Sequence, residues 1–117
     1  MKYVCLIYNN EKMEAAKPQA QRDAEYAEYY GLNDVATKIG VTVLGGEALH
    51  PIETAKTLRL RDNKVVMTDG PFAETHEQLG GFYMLDCKDL DQAIEFARAI
   101  PGARDGSIEI RPIVIFD

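Results

Sequence analysis

The chain has 117 residues, a formal net charge of −6 and 46% hydrophobic residues, enough for one domain, residues 1–117, that buries roughly two thirds of the surface its unfolded form exposes. The acidic balance gives a polyanion nothing to grip, and Arg59, Arg61 and Lys64 are too few for a basic stripe, so neither nucleic acid nor an anionic membrane is expected as a partner. No apolar run approaches the length that crosses a bilayer, and Cys5 and Cys87, each inside an apolar run, read as reduced, buried thiols and not as a disulfide framework.

Lys2 to Tyr8 is rich in β-branched, aromatic and aliphatic residues and stops at Asn9-Asn10, the pattern of a strand. Its apolar stretch is too short for a signal segment, which together with the thiols gives the expectation of a cytoplasmic protein. Tyr3, Cys5 and Ile7 face one way and Val4, Leu6 and Tyr8 the other, so both faces of this strand are expected to be covered. From Pro18 to Ile39 the period becomes helical, with Ala20, Ala24, Ala27, Gly31, Val35 and Ile39 on one stripe of small residues that would lie close on a sheet. Pro18 suits the first turn and Gly40 the C-terminal cap.

Val41 to Leu49 reads as a strand interrupted at Gly45-Gly46 by a bulge or a close backbone approach. Thr54–Arg61 and Lys64–Thr68 form a hairpin about Asp62-Asn63, two residues that tolerate positive φ, and alternation through Thr57-Leu58-Arg59-Leu60-Arg61 gives it one wet face. Gly81 to Cys87 is a further strand apolar on both faces. Asp89 caps a helix carrying Leu90, Ala93, Ile94, Ala97 and Ile100, with Gln92 placed for a capping box, and Pro101-Gly102 ends it. Ser107 to Phe116 is the final strand.

Strand, helix, several strands, helix, strand is the split βαβ order of a ferredoxin-like α+β domain: an antiparallel sheet, two helices on one face and an extra hairpin. Two helices cover one face only. The two-sided apolarity of the first and penultimate strands therefore predicts a homodimer through the other sheet face.

The segment Asp69-Gly70-Pro71-Phe72-Ala73-Glu74-Thr75, continuing after His76 as Glu77-Gln78-Leu79-Gly80-Gly81-Phe82-Tyr83, resembles the signature of YCII-related proteins of the DGPF-domain type. Lys2-Tyr3 with its strand, Gly45-Gly46-Glu47-Ala48-Leu49 and Gly106-Ser107-Ile108-Glu109-Ile110-Arg111-Pro112 are similar to the same family, so the resemblance spans nearly the whole chain. It implies a dimeric α+β barrel. It also implies a largely uncharacterised group with some members encoded beside, or fused to, sigma factors of the extracytoplasmic type. The His and Asp pair proposed as catalytic in other YCII-related branches is not carried to His50 or His76, since neither falls on a matching motif.

Within the signature, Asp69 and Glu74 are the candidate acid and base residues, against the plainer reading of Asp69 as a turn-former before Gly70-Pro71. Glu74-Thr75-His76-Glu77 superficially suggests a metal, but its spacing matches no ligand pattern and no metal is expected. Arg111 and Glu47 are ionisable residues in strands that otherwise read as buried. The residue types suit either a salt bridge or an arginine that grips an anionic ligand. Tyr83 and Tyr8 are candidates for lining a pocket and Phe72 for closing it. No phosphate loop, nucleophile elbow or cofactor motif is present. The expected function is a small-molecule-binding dimer with a pocket near the signature loop, an anionic metabolite being the ligand class considered. The alternatives are a cofactor-free isomerase, lyase or hydrolase working through a loop carboxylate, and a non-catalytic regulatory partner in a sigma-factor or stress-response setting.

Overall fold

A computed structural model describes all residues from Met1 to Asp117. Its frame is a four-stranded antiparallel sheet in the order β2-β5-β1-β6, where β1 is Lys2–Asn9, β2 Thr42–Ala48, β5 Gln78–Asp86 and β6 Ser107–Pro112. β1 lies at the centre of the sheet between β5 and β6; Tyr3, Cys5 and Ile7 on one face are buried, while Val4, Leu6 and Tyr8 on the other are half-buried. Strands β3 (Lys56–Arg61) and β4 (Lys64–Asp69) form a separate two-stranded hairpin. Its turn residues take positive φ, 50° at Asp62 and 63° at Asn63, as the Asp-Asn pair predicts. The architecture is the ferredoxin-like α+β arrangement, and no barrel closes within one chain.

Helices cover one face. The core there gathers Tyr3, Cys5 and Ile7 of β1, Leu85 of β5, Leu32 and Ala36, and Ala93, Phe96 and Ile100. Tyr83 meets Phe96 edge to face with ring centroids 5.7 Å apart, a geometry worth about 1 kcal/mol beyond area burial. The last helix, α4 (Leu90–Ala97), has the expected cap: Asp89 accepts the Gln92 N–H, and the Gln92 side chain accepts from Lys88 N–H while donating to the Ile39 carbonyl. One side chain thus fastens the start of α4 to the end of the helix beside it.

The helical region before β2 departs from the sequence reading. Asn10 caps a short helix α1 (Glu11–Ala16) by accepting from Met13 N–H, and the long helix expected over 18–39 is divided at Gly31 into α2 (Gln19–Tyr30) and α3 (Leu32–Ile39). The break changes what faces inward. Ala20, Ala24 and Ala27, expected against the sheet, are exposed, while Arg22, Glu25 and Tyr29 are the more buried side of α2. Glycine at the junction ends one helix and begins the next, so a single stripe cannot be extrapolated through it.

The strand boundaries also shift. A 3₁₀ turn, Ile52–Thr54, precedes β3, β5 begins at Gln78, and β6 stops at Pro112 where an extension to Phe116 was expected. Tyr3 opposite Pro112 is the last pair, followed by Ile113 N–H donating to the Lys2 carbonyl, after which β1 offers no further backbone to pair with. Val114, Ile115 and Phe116 are consequently exposed.

The interruption expected in β2 is present as a register shift between Val43 and Gly45. Gly46 lies against Tyr83 so closely that a Cβ there would fall 2.6 Å from the Phe82 carbonyl oxygen and 2.7 Å from Tyr83 Cδ1. At Gly80 a Cβ would meet nothing within 4 Å. Gly46→Ala is expected to destabilise the protein by about 1–3 kcal/mol in urea denaturation through overpacking. Gly80→Ala serves as the near-neutral control, and equal effects at the two positions would refute the close-approach account.

Candidate functional site

Between α2 and the β2–β5 edge of the sheet lies a cavity of about 480 Å³. Tyr29, Tyr26 and Tyr30 of α2 form one wall; Ile7, Gly81, Tyr83, Gly46 and Ala48 form the sheet side, and Glu14 and Asn9 close one end. Local geometry explains why space is left here. Gly46, Gly80 and Gly81 carry no side chain, so the sheet is thin on the side where α2 stands off with its tyrosines. Tyr26, Tyr29 and Tyr30 share the spacing i, i+3, i+4, which places them on one helix face.

Beneath one end of the cavity Lys17 is nearly buried, its side chain 11% exposed, with Nζ 2.6 Å from Asp105, 2.8 Å from Glu14 and 3.1 Å from Glu25. Burial alone would lower the Lys17 pKa, but the hydrogen bonds to Asp105, Glu14 and Glu25 outweigh it and raise the pKa well above that of a free lysine. This one ammonium joins α1, α2 and the turn before β6. Burial, with added repulsion from Tyr83, Glu14 and Glu25, pushes the Tyr29 hydroxyl up to about 12 despite a backbone hydrogen bond at Gly102. Tyr83 is likewise raised by burial.

The sequence-derived candidates fall in three places. Tyr83 lines the cavity. Glu47 borders it, although its pairing with Phe82 puts its side chain on the sheet face opposite the helices. Arg111 and Tyr8 are on that opposite face: Arg111 is 67% exposed and ion-paired with Glu109, while Tyr8 pairs with Ser107 in the ladder. Glu47 and Arg111 occupy opposite edge strands, β2 and β6, with two strands between them, a span of roughly 14 Å at the usual strand spacing. They therefore make no mutual pair within one chain, and Arg111 is not the buried charge its strand context suggests. Asp69, at the end of β4, and Glu74 and Phe72, on the loop after it, are all exposed. Asp69 Oδ1 takes an ion pair from Lys56 Nζ at 2.5 Å across the base of the hairpin.

Much of the signature loop fastens structure together. Gly70, at φ 97°, donates its N–H to the Ala55 carbonyl at 2.7 Å and accepts from the Thr57 hydroxyl at 2.9 Å. Farther along, Gln78 donates to the Thr75 carbonyl and accepts from Glu11 N–H, Asn10 donates to the His76 carbonyl, and Ser107 donates to Glu77. These bonds tie the entry of β5 to the start of α1 and to β6. His76 lies in a second surface groove with Glu11, Glu53 and Lys12, and His50 is exposed. No cluster of three or more His, Cys, Asp or Glu side chains has a metal-holding arrangement. Burial raises Cys5 to about 11, with Cys87 adding to it, and burial also raises Cys87; both thiols are free. These are the properties of inert core thiols.

Tyr26, Tyr29, Tyr30 and Glu14 are the cavity residues that sequence reasoning did not place in a site. The tyrosine spacing on one helix turn was the available signal. Glu14 sits on a short helix whose existence only the Asn10 cap announced.

Compared with known proteins, the chain matches the YCII-related domain over residues 1–117. It is also similar to an uncharacterised protein of Rhizobium meliloti (strain 1021), 37% identical over 119 residues that cover 99% of this chain and 94% of that protein.

Stability is expected to fall as pH rises through 9 to 11. Cys5 has an ordinary value of 9.0 and a folded value of about 11, so the unfolded thiol ionises first and the native state loses about 2–3 kcal/mol across that window. Cys5→Ala should flatten this slope in urea titrations at pH 8.5 and 10.5. A separate expectation concerns Lys17→Met, which leaves three carboxylates without their ammonium. It should cost about 3 kcal/mol in urea denaturation at pH 7.

Proposed function

The chain belongs to the YCII-related family, and on that footing we propose that it is a small-molecule-binding homodimer whose ligand occupies the tyrosine-lined cavity between α2 and the β2–β5 edge. The observation that carries this reading is the cavity itself, a volume of about 480 Å³, within the range of sites that take metabolite-sized ligands, with apolar walls and a few polar groups. Asp69 and Glu74 lie outside it, both exposed. That separation favours binding over acid–base catalysis by these carboxylates.

Support for the dimer comes from what one chain leaves bare. Val4, Leu6 and Phe82 on the face away from the helices are only half-buried, and Met84 and Leu44 are exposed. Register places Leu58 opposite Met67 and Leu60 opposite Val65 on one side of the hairpin, and exposures of 60% at Leu58 and 54% at Met67 leave that apolar side facing water. The radius of gyration, 16.2 Å, exceeds the roughly 13 Å of a compact domain of this length. Contiguous exposed apolar surface of this kind marks an interface, and a second copy presenting the same sheet face satisfies it symmetrically.

Sedimentation should give a dimer at micromolar concentration for the parent chain and a shift toward monomer for Met67→Glu combined with Leu58→Glu. A parent that sediments as a monomer removes the assembly. For the cavity, a thermal-shift screen of small amines, carboxylic acids and neutral metabolites should yield compounds that raise Tm in the parent and lose that effect in Ala48→Phe, which fills the space. Arg111→Ala should leave such hits unchanged, and hits indifferent to Ala48→Phe would dispose of the cavity as the binding site.

A further inference from the structure

We propose that the ligand of this cavity is an organic cation, a substituted ammonium seated against the faces of Tyr26, Tyr29 and Tyr30 with Glu14 as its counter-charge. The inference rests on the cavity being the binding site and adds the chemical class of what enters it. No Lys, Arg or His lines the cavity. An anion there would meet Glu14 and three tyrosines, whose ring faces repel negative charge and attract positive charge. Arg111, the cation that the sequence offers for an anion, is on the opposite face of the sheet with Glu109.

The adjoining pocket shows how these walls treat an ammonium. It shares Asn9, Glu14, Tyr26 and Tyr29 with the cavity, and what it holds is the alkylammonium of Lys17. Glu14, Glu25 and Asp105 all lie within 3.1 Å of that one nitrogen, so three carboxylates surround a single ammonium. Arg22 lines the same pocket, leaving three negative charges against two positive. Lys17 is too fully engaged to receive an anion from the cavity. Burial is the main cause of the upward shift of Tyr29, and Glu14 and Glu25 add to it as negative charges near this wall. The chain's net charge of −6 steers cations toward the protein as well.

Three probes of nearly equal shape separate charge from fit: choline, the neutral 3,3-dimethylbutan-1-ol and the anionic 3,3-dimethylbutanoate. Each is titrated into the full chain, followed by amide chemical shifts of the lining residues and by tyrosine emission, which no tryptophan obscures. Choline should bind about tenfold or more tightly than the neutral probe. Glu14→Gln, in which Glu25 and Asp105 still hold Lys17, should remove about that factor for choline and leave the neutral probe unchanged. Tyr30→Ala, at the exposed mouth and free of any part in the core, should weaken choline more than the neutral probe. Equal binding of choline and the alcohol, or tighter binding of the carboxylate, overturns the cationic class while leaving the cavity as a binding site. No perturbation of the lining residues by any of the three overturns both.

Discussion

The organisation of this protein depends on one side chain leaning over a residue that has none. Tyr83, in the middle of β5, lies across Gly46 of the edge strand so closely that even a methyl group at Gly46 would collide with its ring. Because Gly46 yields that space, the ring can stack edge to face on Phe96 and join α4 to the sheet. The same contact brings β2 in against β5 and leaves the sheet without side-chain bulk where α2 stands away from it. Core packing, edge-strand pairing and the tyrosine-lined cavity are thus three results of one cross-strand glycine–aromatic pair.

A second constraint is electrostatic. Lys17 brings together a helix, its neighbour and a distant turn through three carboxylates, and an ammonium so nearly buried is tolerable only because it is so heavily compensated. This network also decides which side of α2 turns inward. The small residues that pattern analysis assigns to the sheet face are outside, and the polar Arg22 and Glu25 are inside because the charge network claims them.

Much of the fold was legible from the chain. The Asp62-Asn63 turn, the Asp89 cap and the glycine interruption in β2 each rest on a rule that acts over a few residues. The helical break at Gly31 and the exposed alanines were not legible, since they follow from contacts with residues far away in sequence. The site was less readable still. Asp69, Glu74 and Phe72 stood out because this stretch concentrates unusual residues, yet Asp69 is taken up by the Lys56 ion pair at the hairpin base, and Glu74 and Phe72 stand exposed. Arg111 looked buried because its strand is apolar, whereas one chain leaves that face of an edge strand open. The cavity draws on α1, α2, β1, β2 and β5 together; of its lining residues only Tyr83 and Glu47 had been singled out for a ligand.

The hairpin is closed at its own base, through Gly70 with Ala55, Thr57 with Gly70, and Lys56 with Asp69, and every residue of β4 is exposed. In energetic terms it is its own cooperative unit, able to open and reclose while the core stays folded. Its amides would then exchange with solvent through local opening in a lone chain and become protected only where another surface covers them. In the proposed dimer the order of this segment would therefore belong to the assembly more than to the protomer, and its dynamics would record whether a chain is alone.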